Sequence, residues 1–87
     1  MITVKFLSDL HRRLKLKQSE FVFEKIGPGL SFSELFLRLC DPQVDDRLCK
    51  KILVSYNGKT YGLETAKENL VIKDGESVLV FFVMGGG

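Results

Sequence analysis

A chain of 87 residues makes one domain with a modest single core and cannot enclose a large internal active site. Its composition, 45% hydrophobic and 28% charged, is that of an ordinary folded chain, and a net charge of +2 is too small to argue for nucleic acid. No apolar run approaches the roughly 20 residues needed to span a bilayer, and "MITVKFLSDL" lacks the basic region that opens a signal peptide, so no membrane contact and a cytoplasmic location are expected.

Cys40 and Cys49 form no CxxC pair, and His11 is the only histidine. That leaves too few soft ligands for zinc, so no metal is expected, and both thiols read as reduced. With one histidine for general-base work and no nucleophile in an activating setting, the chain is not expected to be an enzyme by itself.

In chain order, "ITVKFL" (2–7) sets Ile2, Val4 and Phe6 against Thr3 and Lys5, the period of two of a half-buried strand. The polar stretch "SDLHRRLKLKQS" follows, with Leu10, Leu14 and Leu16 as apolar anchors. "EFVFEKI" (20–26) predicts a second strand, with Phe21, Phe23 and Lys25 on one face and Val22 and Ile26 on the other; the inward face stays open. "GPG" at 27–29 ends that strand. Ser31 with Glu34 three residues later forms a capping box, and Phe32, Leu35, Phe36, Leu39 and Cys40 continue with helical spacing. Pro42 disfavours helical geometry at Asp41, so the helix should stop near Cys40.

"DPQVDDRLCK" reads as a polar connection and "KILVSY" as a third strand. Asn57-Gly58 is a hairpin turn leading into a short strand, "KTYGL". "ETAKENLVI" is open between a helical turn and irregular structure, "KDGES" is a second tight turn, and "VLVFFV" is the last strand. The predicted order is strand, strand, helix, strand, short strand, strand, as a domain over 1–84 followed by a flexible glycine tail over 85–87. The basic run "HRRLKLK" (11–17) has no interleaved aromatics on which bases would stack, and Asp9 and Glu20 dilute it. It reads as a solvated face with no nucleic-acid partner, and its charge would steer an acidic one.

Two strands, a helix laid across a sheet and further strands resemble the ubiquitin-like β-grasp. That implies an α+β fold, a mixed sheet of four to five strands packed on one main helix. Within that superfamily, "FLSDLHRRL" (6–14), "GLSFSELF" (29–36), "ILVSYNG" (52–58), "KDGESV" (73–78) and a last strand running into terminal glycines resemble the sulfur-carrier branch. This branch includes the small subunit of molybdopterin synthase and the sulfur carrier of thiamine biosynthesis. Its molybdopterin members often place prolines before the terminal glycines, whereas "FFVMGGG" is closer in style to some thiamine carriers.

The resemblance implies that a ubiquitin-activating-type enzyme adenylates the carboxylate of Gly87 with ATP. Sulfur then replaces AMP, and the resulting thiocarboxylate serves a sulfur-accepting synthase, the large subunit where the carrier is the small one. No cofactor is bound by the carrier; ATP belongs to the partner. A protein modifier joined to target lysines through the same glycine, or a β-grasp interaction domain with an inert tail, are the alternatives.

The tail suits such a handover physically. A terminal carboxylate, with an unperturbed pKa of about 3.5, is ionised at neutral pH and a poor electrophile until activated. Gly85 and Gly86, lacking a Cβ, thread closely past channel walls, and Gly87 carries the reactive atom. Met84 to Gly87 reach about 13–14 Å when extended. In the last strand, alternation puts Val78, Val80 and Phe82 on one face and Leu79, Phe81 and Val83 on the other. Only one face of a single sheet packs on a helix, so Leu79, Phe81 and Val83, with Met84, are expected outward as a partner-binding stripe. Loops covering both faces are the alternative.

Overall fold

The alternation at the start of the chain becomes strand β1, Ile2–Phe6, with Ile2, Val4 and Phe6 buried and Lys5 exposed. The structure, a computed structural model, describes residues 1–8, 10–24, 27–39 and 46–82. A short helix α1 (Leu10–Arg13) precedes strand β2 (Glu20–Phe23) and strand β3 (Gly29–Ser31). Helices α2 (Phe32–Leu39) and α3 (Asp46–Lys51) lead to the hairpin of β4 (Ile52–Tyr56) and β5 (Lys59–Gly62). Helix α4 (Leu63–Asn69), strand β6 (Val71–Lys73) and strand β7 (Ser77–Phe82) complete the described chain.

The result is an α+β fold on a mixed five-stranded sheet of order β2-β1-β7-β4-β5. Every pairing in it is antiparallel except that of β1 with β7, which is parallel and central. One face of the sheet carries the core. Ile2, Val4, Phe6, Ile52, Val54, Val78 and Val80 are essentially inaccessible there, and α2 and α4 cover them with Phe32, Leu35, Phe36, Leu63 and Ala66. Phe6 meets Phe21 edge to face, with ring centroids 6.0 Å apart. At roughly 1.5–3 kcal/mol per fully buried aliphatic or aromatic side chain, this single layer is the main source of stability.

Local chemistry explains the element boundaries. Ser31 Oγ accepts a hydrogen bond from the Glu34 amide at 3.2 Å and so caps α2, while the Phe32 amide donates to the Leu70 carbonyl at 2.9 Å. Asn57 (φ 52°) and Gly58 (φ 79°) adopt the positive angles of a two-residue hairpin turn between β4 and β5. At Gly29 a Cβ would sit 2.9 Å from the Ile72 carbonyl oxygen, so only glycine permits the close approach of β3 to β6.

Several elements depart from the sequence reading. In place of one main helix, four helical segments are present among the described residues, and α2 and α4 together roof the sheet. Stretches 8–19 and 41–50, expected to be polar connections, contain α1 and most of α3. Leu10 and Leu14 are buried one helical turn apart, and Leu48 and Cys49 pack against the core; elements this short show too little repeat to betray a period. The ambiguous 64–72 divides into helix and strand, because β6 finds a partner in β3, itself unexpected. Strand β2 turns Phe21 and Phe23 toward the core and leaves Val22 exposed; Lys25, Ile26 and Cys40 lie outside the described residues.

The turn that leads into β7 is held from several sides. The amino terminus of Met1 pairs with the Asp74 carboxylate, and the Gly75 amide donates to the Met1 carbonyl at 2.8 Å. The buried Tyr56 hydroxyl donates to the Glu76 carboxylate, which also accepts from the Lys73 amide at 3.1 Å. The Tyr56 bond is the main reason that Glu76 lies below the ordinary carboxylate value of 4.5; burial first, then Glu76, raises Tyr56 above 10.0. A lowered carboxylate pKa contributes stability that is present above the unfolded value and lost as pH falls through the folded one. A raised tyrosine pKa contributes stability present below its unfolded value and lost as pH rises through the folded one. The stability difference between wild type and Tyr56→Phe, measured by thermal melts, should therefore be constant near neutrality and shrink as pH falls below 4.5.

Candidate functional site

Strand β7 decides where the end of the chain emerges. It lies between β1 and β4, with Val4 opposite Val78, Phe6 opposite Val80 and Ile52 opposite Phe82. Because β1 and β7 run parallel, both leave the sheet at one end, where β4 and β2 begin and β5 finishes. Strand β7 thus ends, at Phe82, in the middle of the sheet.

The expected site residues divide into two groups. Leu79 is 37% exposed and Phe81 is half-buried, on the face of β7 opposite the buried Val78 and Val80. Val83, Met84, Gly85, Gly86 and Gly87 lie outside the described residues. Phe82, assigned to the core face, packs against the core, half-buried at its edge.

The structure adds two apolar residues that sequence reasoning did not attach to this stripe. Leu53 pairs with Phe81, and Leu7 follows Phe6, its amide donating to the Val80 carbonyl at 2.9 Å to continue the ladder. Both are half-buried and both stand in the outward phase of their strands, Leu7 after Thr3 and Lys5, Leu53 between the buried Ile52 and Val54. Alternation within each strand carried that signal; only the register showed that the three strands align their outward leucines beside Phe81. Ser55 and Lys5 flank Leu79 on either side.

The same end of the sheet is cationic. The Arg13 guanidinium lies 4.9 Å above the centre of the Phe82 ring, so α1 rests on the last described residue of β7. Lys50 and Lys51 end α3 immediately before Ile52, the partner of Phe82. No group of three or more histidine, cysteine or acidic side chains is placed to hold a metal among the described residues. Cys49 is half-buried against the core, and Cys40 lies outside the described residues.

A charge introduced on each face of β7 tests its orientation. Leu79→Asp, on the outer face, should cost roughly 1 kcal/mol or less, as surface substitutions do. Val80→Asp, one residue on and fully buried, should cost roughly 3–5 kcal/mol as an unpaired buried charge. Chemical denaturation of the two variants checks the contrast, and equal costs would place the outer face under cover. No family model, curated protein or solved structure matches this chain.

Proposed function

We propose that the chain is a sulfur carrier of the ubiquitin-like β-grasp type, acting as the protein substrate of a ubiquitin-activating-type enzyme in the cytoplasm. The observation that carries this reading is the central, parallel placement of β7 beside β1, so that the last described residue before the segment with Gly85, Gly86 and Gly87 stands in the middle of the sheet. A hairpin, a helix across one face and a last strand inserted at the centre is the arrangement expected of that fold, and the remaining helices are additions to it.

The chemistry proceeds in two displacements. A carboxylate oxygen of Gly87 attacks the α-phosphorus of ATP in the partner enzyme, forming the acyl adenylate and releasing pyrophosphate. A sulfur nucleophile at the oxidation level of sulfide then attacks the carbonyl carbon, and AMP leaves with the oxygen. The thiocarboxylate is passed to a synthase that makes molybdopterin or the thiamine precursor. The folded body remains outside both channels, and the outward Leu79, Phe81, Leu53 and Leu7 supply apolar area for the docked partner.

The reading takes Gly87 as the residue bearing the terminal carboxylate, which intact mass checks directly. Protein isolated gently from its native cells should show a fraction heavier by one oxygen-to-sulfur exchange, mapped to the terminal peptide. Removing Gly86 and Gly87 should abolish ATP–pyrophosphate exchange by the activating enzyme of the same genome while leaving the thermal midpoint unchanged. Exchange that survives the deletion overturns the carrier reading, and Gly87 found linked to lysines of other proteins replaces it with the modifier.

A further inference from the structure

Cationic side chains gather at one end of the molecule. Lys5, Arg12, Lys15, Lys17, Lys50 and Lys51 are all exposed. They lie on β1, on α1 and the turn after it, and on the end of α3, the elements that surround the point where β7 leaves the sheet. Glu20, at the start of β2, and Glu64, just after β5, are acidic residues at this end, while Asp74 and Glu76 lie at the opposite end, at the turn that enters β7, together with Lys59 and Lys73. A net charge of only +2 therefore hides a local excess of cations, these six against two acids, where β7 ends.

The backbone around Lys15 holds one of these cations in a defined place. The Lys15 amide donates to the Arg12 carbonyl at 3.0 Å and the Leu16 amide to the His11 carbonyl at 2.8 Å, the paired bonds of a Schellman cap on α1. Lys15 occupies the left-handed position of that cap, with φ 61°. Glycine is favoured there because a Cβ crowds the backbone, yet the chain places an exposed lysine. The cap thus fixes the backbone of an exposed cation beside the carbonyl end of α1, which favours positive charge.

We propose that this rim is a docking surface for an acidic protein patch at the mouth of the channel that receives the tail. Its partner is the activating enzyme, and in naming that partner the proposal rests on the carrier reading. Two features favour a protein over a nucleic acid. The rim adjoins the outward Leu7, Leu53, Leu79 and Phe81, giving the apolar centre and charged margin of a protein interface. The aromatic ring nearest the cations, Phe82, is already covered by Arg13 and packed on the core, so it offers no face for stacking a base.

The test measures association of the full chain with the activating enzyme of the same genome, by stopped flow across a salt series, alongside ATP–pyrophosphate exchange. Lys51→Glu at the rim and Lys59→Glu at the far end of the β4–β5 hairpin change net charge identically. Steering at the rim predicts association slowed about tenfold at low salt for Lys51→Glu and about twofold or less for Lys59→Glu, the difference closing as salt screens it. Lys15→Gly should slow association while raising the melting temperature. Equal effects of the two glutamates, or association insensitive to salt, overturn the rim, as does a twelve-residue oligothymidylate that binds more tightly than the enzyme at physiological salt. Exchange that proceeds without charge dependence leaves the carrier reading standing and removes the rim. Charge-dependent association without exchange does the reverse, and neither association nor exchange removes both.

Discussion

The parallel pairing of β1 with β7 is the constraint on which the rest of the structure depends. It joins Thr3 to Ser77 and Phe6 to Val80, so the two ends of the described chain meet in the middle of the sheet. Such contact is costly in loop entropy and is gained only when everything between has been arranged around it. The inner face repays that cost because Val78 and Val80 enter the row formed by Val4, Phe6 and Val54, all essentially inaccessible to water. Without β7 the sheet would separate into two hairpins, each with an unpaired inner edge.

The two ends of β7 are treated differently. Where it begins, Met1, Tyr56, Lys73 and the 74–76 turn converge on one another through ion pair and hydrogen bonds, fixing the strand's entry. Where it ends, Phe82 is held on the core edge beneath Arg13, and exposed Arg12 of α1 and Lys50 and Lys51 of α3 lie on the neighbouring elements. A strand anchored at its entry and gripped along its length holds Phe82 in a defined position at the edge of the core.

Legibility in the sequence followed the length of each repeat. The alternating residues of β1, β4 and β7, the Ser31–Glu34 cap of α2 and the Asn57-Gly58 turn were all readable, because each signal is local and uses residue types with a specific conformational role. Helices α1 and α3 were not, since four and six residues span too few turns to show a period, and their apolar residues resemble isolated anchors. Strands β3 and β6 become strands by pairing with each other across 40 residues of chain, which no local pattern records. At the candidate site the outward phase of Leu79 and Phe81 was visible, whereas the alignment of Leu7 and Leu53 beside them came from register, and the cap strain at Lys15 from backbone angles.

The distribution of structure also limits where such a small domain can act. The helices and one sheet face are consumed by the core, and none of the described helices is long and apolar enough to cross a membrane. The edge strands β2 and β5 are four residues each and carry Glu20 and Lys59, short and charged in the way that discourages addition of a further strand. What remains is the outer face of the sheet and the point from which the chain departs. Those two surfaces are contiguous, since Phe81 lies on the outer face and Phe82, its neighbour, closes the core at the exit. In the carrier proposed above, a partner that grips the outer leucines would also stand beside Phe82, so the apolar face and the end of β7 would be read in a single binding event.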